Sequence, residues 1–139
     1  MKTDPRLQAV ALLFMRVSTA LLLLHVHGLP KLLNWQREVQ LIEDPFGLGA
    51  SLTLGLAVFA EVLCPLLLIA GVFARLACLP VLAVLLVAVA VVHPEWSLEQ
   101  GQFAWLFIIL FTGLALTGPG PYVLPTPWPA QRPGQGAQA

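Results

Sequence analysis

Residues 7–27 read LQAVALLFMRVSTALLLLHVH, and residues 51–72 read SLTLGLAVFAEVLCPLLLIAGV. Each stretch is mostly apolar and carries one charge near its middle, Arg16 in the first and Glu61 in the second. About twenty such residues cross the ~30 Å hydrocarbon core of a bilayer as a helix. A charge at that depth costs roughly 2.5 kcal/mol or more on insertion scales, so it is expected to face the bundle interior and to have a partner. Two further apolar runs, 76–92 and 103–117, complete the set. The pattern predicts an all-α, integral membrane four-transmembrane-helix bundle with antiparallel neighbours and both termini on the same side.

Composition agrees. Hydrophobic residues make up 58% of the 139 and charged residues only 10%, with a mean hydropathy of +0.85. A soluble globular domain is nearer a quarter charged. Formal net charge is zero and there is no basic patch, which argues against a nucleic-acid partner. The length suits one compact domain, expected over residues 1–124. Residues 125–139 are rich in Pro, Gly, Gln and Ala without periodicity, and are expected to be a disordered tail.

Cys64 and Cys78 are separated by thirteen residues and fall in different apolar runs. Their expected depths differ by roughly 9 Å, beyond disulfide reach, so both read as small apolar side chains in a helix bundle. The first run is read as a retained helix rather than a signal peptide. Arg16 interrupts it, and His27-Gly28-Leu29-Pro30-Lys31 is no small-residue cleavage site. The connection 28–50 holds a loosely amphipathic segment (Leu32, Leu33, Trp35, Val39, Ile42) that could form a short interfacial helix. Ser51 is the expected N-cap of the second span. Inside that span Pro65 removes a hydrogen bond and crowds the carbonyl four residues back, which belongs to Glu61 itself.

Four spans would put Lys2, Arg6, Arg75 and Arg132 on one side, against Lys31 and Arg37 on the other. The positive-inside rule then places both termini in the cytoplasm. Trp35, Trp96 and Trp105 near the outer boundary, with Tyr122 and Trp128 near the inner one, fit aromatic belts.

Counted from their helix ends, Arg16 and Glu61 each lie ~15 Å deep, and an interhelical Arg16–Glu61 interaction is expected. It would be either a clamp fixing helix register or the polar floor of a ligand pocket, with Glu61 protonatable. A second group, His25, His27, Lys31 and His93, lies near the outer helix ends. His25 and His27 are about 200° apart on a helix, so only one can face the bundle. Inward histidines could meet a quinone carbonyl, a haem or a metal, or could simply sit at the interface. No carboxylate stands at metal-triad spacing, so no metal is expected, and no covalently bound cofactor.

From Arg16 to Leu124 the chain resembles the DoxX/DoxD-like family of small four-helix membrane proteins. The marks are Arg16, His27-Gly28-x-x-Lys31, Glu61, Gly71-x-x-x-Arg75-Leu76-Ala77, His93 and Gly118-Pro119-Gly120-x-Tyr122. Two features depart from the family: Cys64-Pro65 replaces a small-residue or glycine pair, and Gln100 and Gln102 stand where many members carry an acid. The resemblance implies a bacterial-type plasma-membrane protein, since the family is named for the membrane subunit of a thiosulfate:quinone oxidoreductase. The leading expectation is therefore an integral subunit of a quinone- or thiol-linked redox system. Arg16 and Glu61 would form its centre and His27, Lys31 and His93 its outer mouth, with electrons exchanged through a partner redox protein or a small thiol or sulfur substrate. With no cofactor motif of its own, the chain is not expected to be a self-sufficient enzyme, and with no loop cysteine pair it does not suit a dithiol mechanism. A non-enzymatic scaffold is the alternative. A solute or proton transporter is a weaker one, because no inverted repeat is evident.

Overall fold

The computed structural model describes residues 4–127, and all its regular elements are helical. Lys2, Trp128, Arg132 and most of the expected tail lie outside the described residues, while 125–127 are exposed and non-helical. We number the helices α1 (Pro5–Leu33), α2 (Trp35–Leu41), α3 (Ala50–Ala70), α4 (Ala74–Val92) and α5 (Gln102–Thr117). Among the described residues, α1, α3 and α4 are long and apolar enough to cross a membrane, and α5 is shorter.

α1 starts two residues before the expected Leu7. Asp4 caps it by accepting from the Arg6 amide at 2.9 Å, and Pro5 occupies the first turn, where no amide is missed. It ends at Leu33, six residues beyond the expected His27. There the Asn34 side chain donates to the Pro30 carbonyl at 3.0 Å, while its own carbonyl accepts from Arg37 and Glu38 to start α2. The expected short helix in the connection is thus Trp35–Leu41. Ser51 is not the cap of α3. The helix begins at Ala50, and the Asp44 carboxylate, five residues upstream of Gly49, reaches back to serve that end.

Each of the three long helices contains one wide π turn: Leu24–Gly28 in α1, Phe59–Leu63 in α3 and Ala88–Val92 in α4. Each turn is followed, two residues on, by a proline: Pro30, Pro65 and Pro94. The residue between closes the wide turn through its amide, Leu29 to Leu24, Cys64 to Phe59 and His93 to Ala88. A proline ring collides with the carbonyl four residues back, and widening the preceding turn relieves that collision. Pro80 differs, since α4 passes through it without widening.

α3 and α4 meet in a tight hairpin. Gly71 adopts φ 77°, and the amides of Gly71 and Val72 return to Leu68 and Leu67 in the double bond of a Schellman end. The core lies toward this hairpin end. It joins Ala20 and Leu23 of α1, Cys64 and Leu68 of α3, Ala77, Cys78 and Val81 of α4, and Phe111 and Leu114 of α5. Both cysteines are buried and free. After α5 the chain turns at Gly118 (φ 81°) and folds back as a strap, with Gly120 against Leu12 and the Leu124 amide donating to Ala70 at 2.9 Å.

Candidate functional site

Away from the hairpin the helices part around a cleft of about 1260 Å³. Its walls are largely apolar, and three of its titratable groups lie on or directly after turns that the prolines have widened. His27 lies on the π turn of α1, Glu61 on that of α3, and His93 directly after that of α4. Pro65 cannot donate to the Glu61 carbonyl, which turns instead toward Gly28 of α1. A β-carbon at position 28 would collide with that oxygen, so only glycine lets the two helices approach this closely.

This contact sets the register of α1 on α3 and thereby the partner of Glu61. Lys31, three residues past Gly28, places its ammonium on the Glu61 carboxylate in an ion pair, with side chains 23% and 7% exposed respectively. His27 stands four residues before Lys31, on the same face of α1. Its ring meets Phe107 edge-on, with centroids 6.3 Å apart. His27, Lys31 and Glu61 all line the cleft, and His25 does not. His93 also lines it, nearer the mouth. There it stacks on Trp96 with centroids 4.0 Å apart and rings nearly parallel, and its Nδ1 lies 3.4 Å from a Glu95 carboxylate oxygen.

The expected Arg16–Glu61 pair does not form. Arg16 is 1% exposed, and its guanidinium donates to backbone carbonyls only: Pro119, Tyr122 at 2.7 Å and Ile69 at 3.5 Å. Its Nε has no partner among the described residues. The reason is register. Gly28 is level with Glu61, and Gly28 is twelve residues past Arg16, about 18 Å along the helix. Depths counted from assumed helix ends put the two charges at one height. In fact α1 slides past the hairpin, carrying Arg16 to the hairpin end and Lys31 into the cleft. Of the five expected site residues, the structure gathers His27, Lys31 and Glu61, sets His93 at the rim and removes Arg16.

Two contributors escaped the sequence reading. Asp44 binds the Leu48 and Gly49 amides at 2.9 and 2.8 Å and accepts from the Thr53 hydroxyl at 2.8 Å, fixing a loop whose Ile42, Pro45, Phe46 and Leu48 line the cleft. The spacing of Asp44 before Gly47 and Gly49 was a loop-cap signal that could have been used. Trp96 was read as an interface residue, and no periodicity foretells its stacking on His93.

No curated protein and no solved structure matches the chain. The DoxX family profile matches residues 11–94, which hold the whole of the Arg16, Lys31, Glu61 and His93 framework and more than half of the sequence. The protein with this cleft and its half-buried lysine–glutamate pair is therefore a member of the DoxX family.

Proposed function

We propose that this DoxX-family protein is the quinone-binding membrane subunit of a redox system. The observation that carries this reading is the Lys31–Glu61 pair with His27 beside it, set in the wall of a largely apolar cleft. A buried ion pair is weak evidence for stability, because desolvation offsets most of its Coulomb attraction. In a family whose resemblance points to quinone chemistry, the pair has a second use. The ammonium donates to a quinone carbonyl, the carboxylate accepts from a quinol hydroxyl, and the imidazole can do either. A small anionic sulfur compound is the poorer fit, since apolar walls offer it nothing and the lysine is already neutralised.

On this reading the chain supplies a binding site and proton-exchanging groups, and electrons pass to or from a partner redox protein. It crosses the plasma membrane four times with both termini in the cytoplasm. α5, 16 residues or about 24 Å long, crosses as the shortest span, which local bilayer thinning accommodates. The charge bias supports this orientation more strongly once Lys31 is engaged with Glu61, since Arg37 is then the one free cation counted on the outer side among the described residues.

The test is equilibrium binding of a decyl-tailed benzoquinone to the purified protein in detergent. Charge-assisted hydrogen bonds are worth about 1.5–3 kcal/mol, so Glu61→Gln and Lys31→Met should each weaken binding roughly ten-fold or more. Equal affinity in wild type and both folded variants, or no saturable binding to wild type, sinks the proposal.

A further inference from the structure

We infer that the ligand enters this site sideways from the bilayer, through the seam between α1 and α5, and leaves its tail lying in that seam. The inference rests on the quinone reading and narrows the substrate class to quinones with a long apolar tail.

Two sets of residues lead to it. Ser18, Leu22 and Val26 of α1 recur every four residues, and Phe103, Leu106 and Leu110 of α5 at three- and four-residue steps, so each set forms one helix face. All six line the cleft. Four of them are also exposed: Leu22 is 54% exposed, Val26 51%, Phe103 71% and Leu106 52%. A cleft wall of exposed leucine, valine and phenylalanine on two facing helices admits hydrocarbon at no desolvation cost.

The other approach is bordered by a tethered loop. At the mouth, the loop after α2 lays Ile42, Pro45, Phe46 and Leu48 along the cleft, and Asp44 ties it down through two amides and the Thr53 hydroxyl. Size points the same way. The cleft of about 1260 Å³ exceeds the ~300–1,000 Å³ of sites that enclose a whole drug-sized molecule. A bare quinone ring would leave most of it unfilled, whereas a ring at Lys31–Glu61 with its tail along the α1–α5 slot would not.

The experiment uses two quinones sharing one head, one with a decyl tail and one with none, and a Leu22→Trp/Leu106→Trp variant that fills the slot. Folding is checked by circular dichroism and gel filtration, with exposed Leu52→Trp, outside the cleft, as control. Binding of the tailed quinone should fall at least ten-fold while the tail-less quinone stays within two-fold of wild type. Unchanged binding of both, or equal weakening of both, overturns the slot. Failure of wild type to bind either quinone overturns the quinone reading itself, and with it this inference. A tailed quinone with a photoreactive terminal group tests the wild-type protein without substitution. Labelling of the 18–26 and 103–110 peptides supports the slot, and labelling confined to residues 42–48 overturns it.

Discussion

The two ends of this bundle each hold a cation, buried at one end and half-buried at the other, and they use it in opposite ways. At the hairpin end Arg16 is enclosed by backbone carbonyls of Ile69, Pro119 and Tyr122. A planar guanidinium with five fixed donors suits a cage of several acceptors in different directions. At the open end Lys31 meets one carboxylate, on a flexible stem that reaches in from the last turns of α1. The first arrangement has no room for a guest and ties three chain segments together. The second borders an accessible cleft and holds groups that can exchange hydrogen bonds with whatever enters. The difference teaches that a charge inside a membrane bundle is not evidence of a site until its partners are known: backbone carbonyls mark a fastener, whereas a carboxylate beside a cavity leaves groups free to meet a ligand.

The largest effect expected from this contrast is on Arg16. Arg16→Met leaves the Pro119 and Tyr122 carbonyls without their donor and frees the strap from the hairpin, a loss of about 3 kcal/mol. Arg16→Lys recovers only part of it, since an ammonium cannot span the cage. Denaturant titration in mild detergent measures both. Quinone affinity of the folded Arg16→Met protein should match wild type, and its stability loss should add to that of Glu61→Gln within about 0.5 kcal/mol. Strong coupling between the two positions would restore the Arg16–Glu61 partnership that the register separates.

Gly28→Ala sharpens the comparison from the other side. Inside a helix this change ordinarily gains about 1 kcal/mol. Here the added methyl meets the Glu61 carbonyl, backbone that cannot rotate away, and overpacking costs about 1–3 kcal/mol. A net destabilisation of roughly 1 kcal/mol is expected, together with weaker quinone binding as Lys31 is pushed off Glu61. A stabilised variant with unaltered binding would mean that the glycine contact does not set the site.

How legible was this in the sequence? The apolar runs of α3, α4 and α5 lie within a few residues of their expected places, because length and hydropathy alone set them. His27, Lys31 and Glu61 were named, but with the wrong cation on Glu61. Depth had been counted from helix ends, and the end of α1 was hidden by Gly28 and Pro30, which read as a break. A wide turn absorbs both residues, so the helix runs on to Leu33. The repeated pattern of π turn, one residue, then proline was present at Pro30, Pro65 and Pro94. It is not readable from one proline, because Pro80 is accommodated without it. The strap's role was not legible, since nothing local in Gly118-Pro119-Gly120 says that its carbonyls face an arginine a hundred residues earlier.

The smallest effect concerns the loop that separates the open end from water. Asp44 has its carboxyl held below the usual aspartate range, first by the Thr53 hydroxyl and then by the Gly49 amide, against an opposing desolvation, with the Leu48 and Gly47 amides adding to the depression. A depressed acid stabilises the fold above its unfolded value, near 3.9, and the contribution disappears as pH falls through the lower folded value. The loop should therefore stay closed across neutral and mildly acidic pH and loosen only below the ordinary carboxylate range. Asp44→Ala removes the three acceptor contacts at every pH, and amide exchange at Leu48 and Gly49 should rise roughly five-fold, as for a lost helix cap. Thr53→Val, which removes one contact, should have a smaller effect of the same sign. If the tail-bearing ligand uses the bilayer slot, neither variant changes its association rate. A faster rate in Asp44→Ala would make the loop, rather than the α1–α5 seam, the door to the cleft.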